Sequence, residues 1–226
     1  PGMKVLSIGS TGCNLSCKFC QNFEVSQVGK SSSTNMSPSG VVKLALDAKA
    51  KGVAFTYSEP FVWYEFVMET AAAARSAGLK TILKTAAYAN PRYFEQMCGL
   101  MDAVNVDVKG GKSAYRDVCG IEHSHEVVLE NMAIARGASH LEACAMALPP
   151  YCDDLDEWAG IFETMASKVG PLTPIHVLRF VPDFQLKGRL PASFEQVSKL
   201  ASVARDFFHF VYESYAGATS VTRCRY

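Results

Sequence analysis

Three cysteines, Cys13, Cys17 and Cys20, stand at spacing C-x3-C-x2-C in the stretch GCNLSCKFCQN, Gly12 to Asn22. Thiolates this close serve a shared centre or a redox pair. Soft sulfur ligands select zinc, copper(I) or iron–sulfur clusters. A structural zinc site wants four ligands, usually in two pairs; here there are three, and no histidine lies nearby to supply the fourth. A [4Fe–4S] cluster also normally takes four cysteines. Three would leave one iron without a protein ligand, open to a small molecule. The plain alternative is a zinc knuckle, or a loop whose thiols simply stay reduced.

The elements that must position these residues alternate strictly. Lys4 to Ser10 reads as a buried, β-branched strand, and the cysteine loop follows its C-terminal end. Gln21 to Ser37 is polar and reads as a surface connection. Ser37-Pro38 opens a helix, with Ser as N-cap and Pro in the first position, and Gly52 ends it. Strands follow at Val53 to Tyr57, Lys80 to Thr85, Asp102 to Val108, Leu141 to Leu148 and Ile175 to Val181. Helices are expected over Phe61 to Ala77, Pro91 to Leu100, Glu126 to Arg136, Leu155 to Val169 and Ser193 to Phe207, with a helical turn at Ser113 to Val118. Phe210 to Tyr215 suits a short terminal strand. Six strand–helix units argue an α/β fold, a parallel sheet with helices outside. In such folds ligands sit beyond the C-terminal strand ends.

Those ends carry polar residues. The second strand stops at Thr56-Tyr57-Ser58-Glu59-Pro60 and the third at Lys84-Thr85-Ala86-Ala87. In the fourth, alternation puts Asn105, Asp107 and Lys109 on one side, facing inward if Val104, Val106 and Val108 pack under the helices. Polar side chains inside a barrel are costly without partners, which favours a functional role. On the sixth strand His176 and Arg179 are kept as substrate-pocket candidates, although a strand histidine is more often a satisfied core residue. The other cysteines, Cys98, Cys119, Cys144, Cys152 and Cys224, are scattered and read as small buried hydrophobes.

Composition bounds the rest. The 226 residues fit one large domain or two small ones, and 49% are hydrophobic, enough for a sizeable core. Lys plus Arg equals Asp plus Glu, 22 each. A zero formal charge gives no support for a nucleic-acid or anionic membrane surface. No apolar run is long enough to span a bilayer, and nothing resembles a signal peptide. Eight cysteines, three of them clustered, suit a reducing cytoplasm and metal binding. The abrupt start at Pro1 and the ending Thr222-Arg223-Cys224-Arg225-Tyr226 suggest a chain trimmed at both ends.

With Phe19 as its aromatic, the cysteine motif resembles the C-x3-C-x-aromatic-C of the radical S-adenosylmethionine (radical SAM) superfamily. Within it the chain resembles the AmmeMemoRadiSam system radical SAM proteins, close relatives of pyruvate formate-lyase activating enzymes. The stretches PGMKVLSIGSTGCNLSCKFCQNFEVSQ, TYSEP, NVDVKG and HVLRFVPDF followed by Gln185-Leu186 carry that likeness. It implies a partial (β/α)6 TIM-like barrel forming a single radical SAM core over 1–226. It also implies two cofactors. Cys13, Cys17 and Cys20 would hold three irons of a [4Fe–4S] cluster, and the amino and carboxylate groups of S-adenosylmethionine (SAM) would chelate the fourth. Ser58, Glu59 and Pro60 match the last three positions of a Gly-Gly-Glu-Pro motif, so Glu59 would meet the methionine ammonium in a charge-assisted hydrogen bond. Tyr57 replaces a glycine there. Thr85 matches the first position of a Thr-Asn-Gly motif, with two departures. Ala86 lacks the amide of Asn, and Ala87 resists a left-handed conformation. Asn105, Asp107 and Lys109 fall at an Asp-x-Lys motif that lies at the cofactor. Lys84 stands where activating enzymes carry an aspartate beside a monovalent cation, and its ammonium could replace that cation.

The activity implied is reductive cleavage of SAM to methionine and a 5′-deoxyadenosyl radical that takes hydrogen from substrate. A reductant such as flavodoxin or ferredoxin would supply the electron in the cytoplasm. Two substrate classes stay open. One is a glycyl radical enzyme, which would make the chain an oxidoreductase-like activase. The other is a different protein, a peptide or a small molecule. Outside this class stand a zinc or electron-transfer module and a degenerate barrel used as a binding scaffold.

Overall fold

The apolar, β-branched runs become parallel strands of a single sheet. The structure, a computed structural model, describes residues 2–29, 34–122, 125–151 and 153–214. The strands are β1 (Val5–Ile8), β2 (Gly52–Phe55), β3 (Lys80–Thr85), β4 (Ala103–Val108), β5 (His140–Ala147), β6 (Ile175–Arg179) and β7 (Val211–Ser214). They lie in chain order, each paired in parallel with the next. Parallel neighbours need a crossover, and helices supply every one: α1 (Pro38–Asp47), α2 (Tyr64–Ser76), α3 (Pro91–Cys98), α4 (Lys112–Asp117) with α5 (Glu126–Ala138), α6 (Leu155–Val169) and α7 (Phe194–Arg205). β1 and β7 are the two edges, so the barrel is partial and open. The six expected strand–helix units are all present. The terminal run adds a seventh strand, while Tyr215, Cys152 and the segment Thr222 to Tyr226 lie outside the described residues.

Helix starts follow their caps. The Ser37 hydroxyl accepts from the Gly40 amide with Pro38 in the first turn, Asn90 accepts from Arg92, Asp154 from Asp156 and Glu157, and Ser193 forms a capping box with Gln196. Beneath the helices, Val53, Phe55, Leu83, Val104, Val106, Val108, Ala143, Ala145, Ile175 and Val177 are fully buried against apolar faces such as Trp158, Phe162 and Met165 of α6. Each large side chain removed from water in this layer contributes about 1.5–3 kcal/mol. The opposite strand face lines the barrel interior.

Local boundaries differ from the sequence expectation where backbone contacts decide them. α1 ends at Asp47, and Gly52 belongs to β2 instead of ending the helix. A Cβ there would lie 2.6 Å from the Lys80 carbonyl oxygen of the neighbouring strand. The helix expected from Phe61 begins as a 3-10 turn, Pro60–Trp63, before α2. α5 runs through Gly137 to Ala138. The connection after the cysteine loop is not purely a surface loop. Glu24–Val28 forms a π-helical turn with Ser26 buried, closed by the Gly29 amide donating five residues back to the Glu24 carbonyl.

Candidate active site

The cysteine loop leaves the C-terminal end of β1 and is pinned on several sides. The Gly12 amide donates to Val25 O (3.2 Å), Ser16 N to Cys119 O (2.9 Å), Lys18 N to Val118 O (2.9 Å) and Gln185 N to Lys18 O (3.0 Å). Gln27 Nε2 donates to Leu15 O (2.9 Å). The loop has no regular structure of its own, so these bonds hold its carbonyls and amides in place. They turn all three cysteines toward one cavity of about 420 Å³ at the mouth of the barrel. The cavity is also lined by Phe19, Ser58, Glu59, Lys84, Thr85, Asp107, Lys109 and Arg179. Residues from five different strand ends thus meet in one place, which no local stretch of sequence could achieve.

Glu59 is fully buried, and its carboxylate is fixed. Thr85 Oγ1 donates to Oε1 (2.7 Å) and the Ala86 amide to Oε2 (2.8 Å). Burial pushes the Glu59 carboxyl up, while the Thr85 hydroxyl and the Ala86 and Phe61 amides pull it back. The backbone of Ala86 does this work, so the missing Asn side chain leaves Glu59 held. Ala87 takes the left-handed conformation (φ 54°) that its type disfavours. Two contacts hold it there: its amide donates to Thr85 Oγ1 (2.8 Å), and Asn131 Nδ2 of α5 donates to the carbonyls of Ala87 (2.8 Å) and Ala89 (2.9 Å). Tyr57, in the place of a glycine, is left-handed too (φ 69°). Ser58 Oγ is buried at the cavity with no partner among the described residues.

A second polar group lies deeper in the barrel. Lys84 Nζ contacts Asp107 Oδ1 and Asn105 Oδ1, and approaches Cys144 Sγ (3.4 Å). Lys109 Nζ stands 3.4 Å from Asp107 Oδ2 and 5.7 Å from the centroid of the Phe19 ring. Burial alone would raise the Asp107 carboxyl, but the two ammonium groups outweigh it and hold it at about 2. Asn105, Asp107 and Lys109 share the interior face, as alternation requires. Asn105 reaches the cavity only through Lys84.

The two sixth-strand candidates separate. Arg179 lines the cavity, with its Nε donating to Ala192 O (2.6 Å) and its guanidinium 4.7 Å from the centroid of the Phe194 ring. His176 does not line it. Its Nε2 lies 2.8 Å from Glu142 Oε2 and its ring stacks on Tyr212. Glu142 also meets His140 Nε2 (3.1 Å), and the two histidines hold its carboxyl at about 2. His176 is therefore a satisfied interior residue below the cavity.

The sequence reading passed over three residues that build the site. Asn131 sits in the buried stripe of α5 with Val128, Leu129 and Met132; an amide on an otherwise apolar helix face was the available signal. Ser26 lies 3.1 Å from Cys20 Sγ. Cys119, read as a scattered hydrophobe, is held beside Cys17, its carbonyl and that of Val118 accepting from the Ser16 and Lys18 amides.

The donor set fits a cluster with an open iron. Burial pushes the Cys13 thiol up to about 11; the neighbouring Cys119 thiol, then burial, pushes Cys17 up as well. Loading iron must displace these protons. Among the described residues, no three His, Cys, Asp or Glu side chains could hold one metal ion. A zinc ion draws its sulfurs to about 2.3 Å from one centre, whereas a cluster seats each thiolate on its own iron, further apart. A buried carboxylate, an unpartnered hydroxyl and half-buried ammonium groups on the same cavity suit a zwitterionic amino acid group.

The chain matches the family model described as the radical SAM superfamily over residues 7–157. It is 30% identical over 207 residues to the uncharacterized protein MJ0808 of Methanocaldococcus jannaschii, covering 90% of this chain and 61% of that protein. Its fold is similar to Streptococcus suis SuiB bound to precursor peptide SuiA, with a TM-score of 0.72, 12% identity, and 95% of this chain and 49% of that one covered. It is also similar to a domain of pyruvate-formate lyase-activating enzyme from Bacteroides vulgatus, with a TM-score of 0.61, 17% identity, and 74% of this chain and all of that one covered. The chain spans less than two thirds of MJ0808 and about half of SuiB. The family match takes in the cysteine loop and β2 to β5, and the chain belongs to the radical SAM superfamily, enzymes that use a [4Fe–4S] cluster, SAM and a source of electrons.

Proposed function

We propose that the chain cleaves SAM reductively at this cavity and abstracts a hydrogen atom from a large substrate, acting as an activase of a glycyl radical enzyme. The observation that carries the reading is the meeting of three thiols and the locked Glu59 carboxylate on one cavity. What the bound cofactors supply is a one-electron cleavage of SAM into methionine and a 5′-deoxyadenosyl radical, which takes the hydrogen. The chain's own residues bind and orient. Cys13, Cys17 and Cys20 would hold three irons. Glu59 takes the cofactor ammonium, pre-set by Thr85 and the Ala86 amide so that no reorganisation is needed on binding. Ser58 Oγ would supply a hydrogen bond to the cofactor, and Phe19, on the same cavity, would offer it an apolar face.

Lys109 and Lys84, both paired with Asp107 on the cavity, would be available to the cofactor carboxylate. We assign Lys84 the part of a fixed internal cation, with Asn105 and Asp107 holding it in place. Arg179 lies on the substrate side. The open edge between β1 and β7 favours a polypeptide segment over a small molecule. We take the chain to form one radical SAM core, since every described strand belongs to one sheet. Cytoplasmic work with flavodoxin or ferredoxin as reductant agrees with the six described cysteines, all free thiols. No helix among the described residues is long and apolar enough to cross a membrane.

Anaerobic reconstitution tests the reading. The expected result is a brown protein whose cluster signal changes on adding SAM and which releases 5′-deoxyadenosine on reduction. Deuterium passing from a labelled glycyl radical enzyme into that product would establish the substrate. One tightly bound zinc with no 5′-deoxyadenosine would overturn the reading.

A further inference from the structure

Two of the three cysteines at the cavity have a protein hydrogen-bond partner, and the third has a buried thiol held beside it. The Leu15 amide donates to Cys13 Sγ (3.4 Å). Ser26 Oγ lies 3.1 Å from Cys20 Sγ. Cys119 is held beside Cys17 by the backbone bonds of Ser16 N to Cys119 O (2.9 Å) and Lys18 N to Val118 O (2.9 Å). A thiolate carries no hydrogen, so once the cysteines are ligands the hydroxyl and the Cys119 thiol must be the donors.

The placement of both side chains is built, not incidental. Ser26 is buried in the π-helical turn. Gln27 Nε2 donates to Ser26 Oγ (3.4 Å), which leaves the hydroxyl hydrogen to point at Cys20. Cys119 is fully buried, and the amides of Ser16 and Lys18, on either side of Cys17, donate to the carbonyls of Cys119 and Val118. Cys119 is not among the residues lining the cavity. A side chain outside the cavity is not placed to serve as a fourth ligand.

We propose that Ser26 and Cys119 are positioning residues that, with the Leu15 amide, set the reduction potential of the cluster by one hydrogen bond to each ligating sulfur. The inference rests on the cluster-binding reading above. Hydrogen bonds to cluster sulfurs are among the levers that set such potentials. Reduction adds negative charge to the cluster and its sulfurs, and a donor stabilises that charge more in the reduced than in the oxidised state. Removing a donor therefore moves the potential to more negative values.

The test is an anaerobic redox titration followed by electron paramagnetic resonance on the reconstituted chain, comparing wild type with Ser26→Ala, Cys119→Ala and Cys119→Ser. Iron and sulfide contents should match in all four. Both Ala variants should shift negative, by roughly 59 mV for each tenfold fall in the one-electron equilibrium constant. Cys119→Ser keeps a donor and should return toward wild type, which a purely structural role would not produce. Equal potentials in all four proteins would overturn the proposal. So would loss of iron in Cys119→Ala, which would make Cys119 a ligand or a structural prop. A wild-type chain that stays colourless on reconstitution would overturn the cluster-binding reading itself, a result seen before any potential is measured.

Discussion

Replacing Glu59 by Gln is the sharpest test of how the cavity holds its cofactor. The Glu59 carboxylate has both oxygens engaged, by the Thr85 hydroxyl at 2.7 Å and the Ala86 amide at 2.8 Å. Gln keeps the shape but offers one acceptor oxygen. Its NH2 would face either the Thr85 and Ala86 donors or the cofactor ammonium, and it carries no charge for the latter. The loss toward SAM is one charge-assisted hydrogen bond, about 1.5–3 kcal/mol. At about 1.4 kcal/mol per tenfold, SAM affinity should fall roughly tenfold to a hundredfold. Isothermal titration of the cluster-loaded protein with SAM measures it. Iron content should not change, because Glu59 touches none of the cysteines through a hydrogen bond. The pH dependence gives a second readout. Burial raises the Glu59 carboxyl above its usual range. Its ionised form, and with it the affinity for the ammonium, is lost as pH falls through that raised value. Wild-type affinity should therefore weaken on acidification, and the Gln variant should not follow it. A variant within threefold of wild type, with the same pH profile, would refute the assignment of Glu59 to the ammonium.

Three further outcomes follow from the same geometry. Lys84→Ala removes the ammonium that touches Asn105 and Asp107; the variant should turn over SAM only with added potassium, and equal activity with and without salt would remove Lys84 from the cofactor site. Asn131→Ala deletes the two bonds that hold the Ala87 and Ala89 carbonyls. It should cost about 1–3 kcal/mol in urea unfolding and weaken SAM binding without changing iron content. Gly120→Ala places a Cβ 3.1 Å from the Ser16 Cβ in a left-handed position (φ 71°). It should lower stability by about 1–2 kcal/mol and lower the iron retained per chain, since Ser16 adjoins Cys17; full iron retention would show that the loop tolerates the displacement.

The sequence alone determined the class of this protein. Cysteine spacing is a local property: by itself it left zinc and a cluster open, and the resemblance of the C-x3-C-x-aromatic-C loop to the radical SAM motif supplied the class without any tertiary information. Strict strand–helix alternation likewise reveals a parallel sheet, because parallel neighbours need crossovers and helices provide them. Inward-facing Asn105, Asp107 and Lys109 were legible from a period of two. Tertiary structure decided what these residues touch. Ala86 and Ala87 read as defects when only side chains are counted, yet the Glu59 carboxylate takes its bond from the Ala86 backbone, and Asn131, 44 residues further on, holds Ala87 in its strained conformation. His176 and Arg179 lie three residues apart on one strand but have different fates, because Glu142 of β5 claims the histidine while the arginine reaches the cavity. Cys119 looked like one of five scattered thiols until the fold laid it against Cys17. A residue's type and spacing set what chemistry it can do; its partners come from chain segments far away in sequence, and only the packing of the barrel brings those within hydrogen-bonding reach.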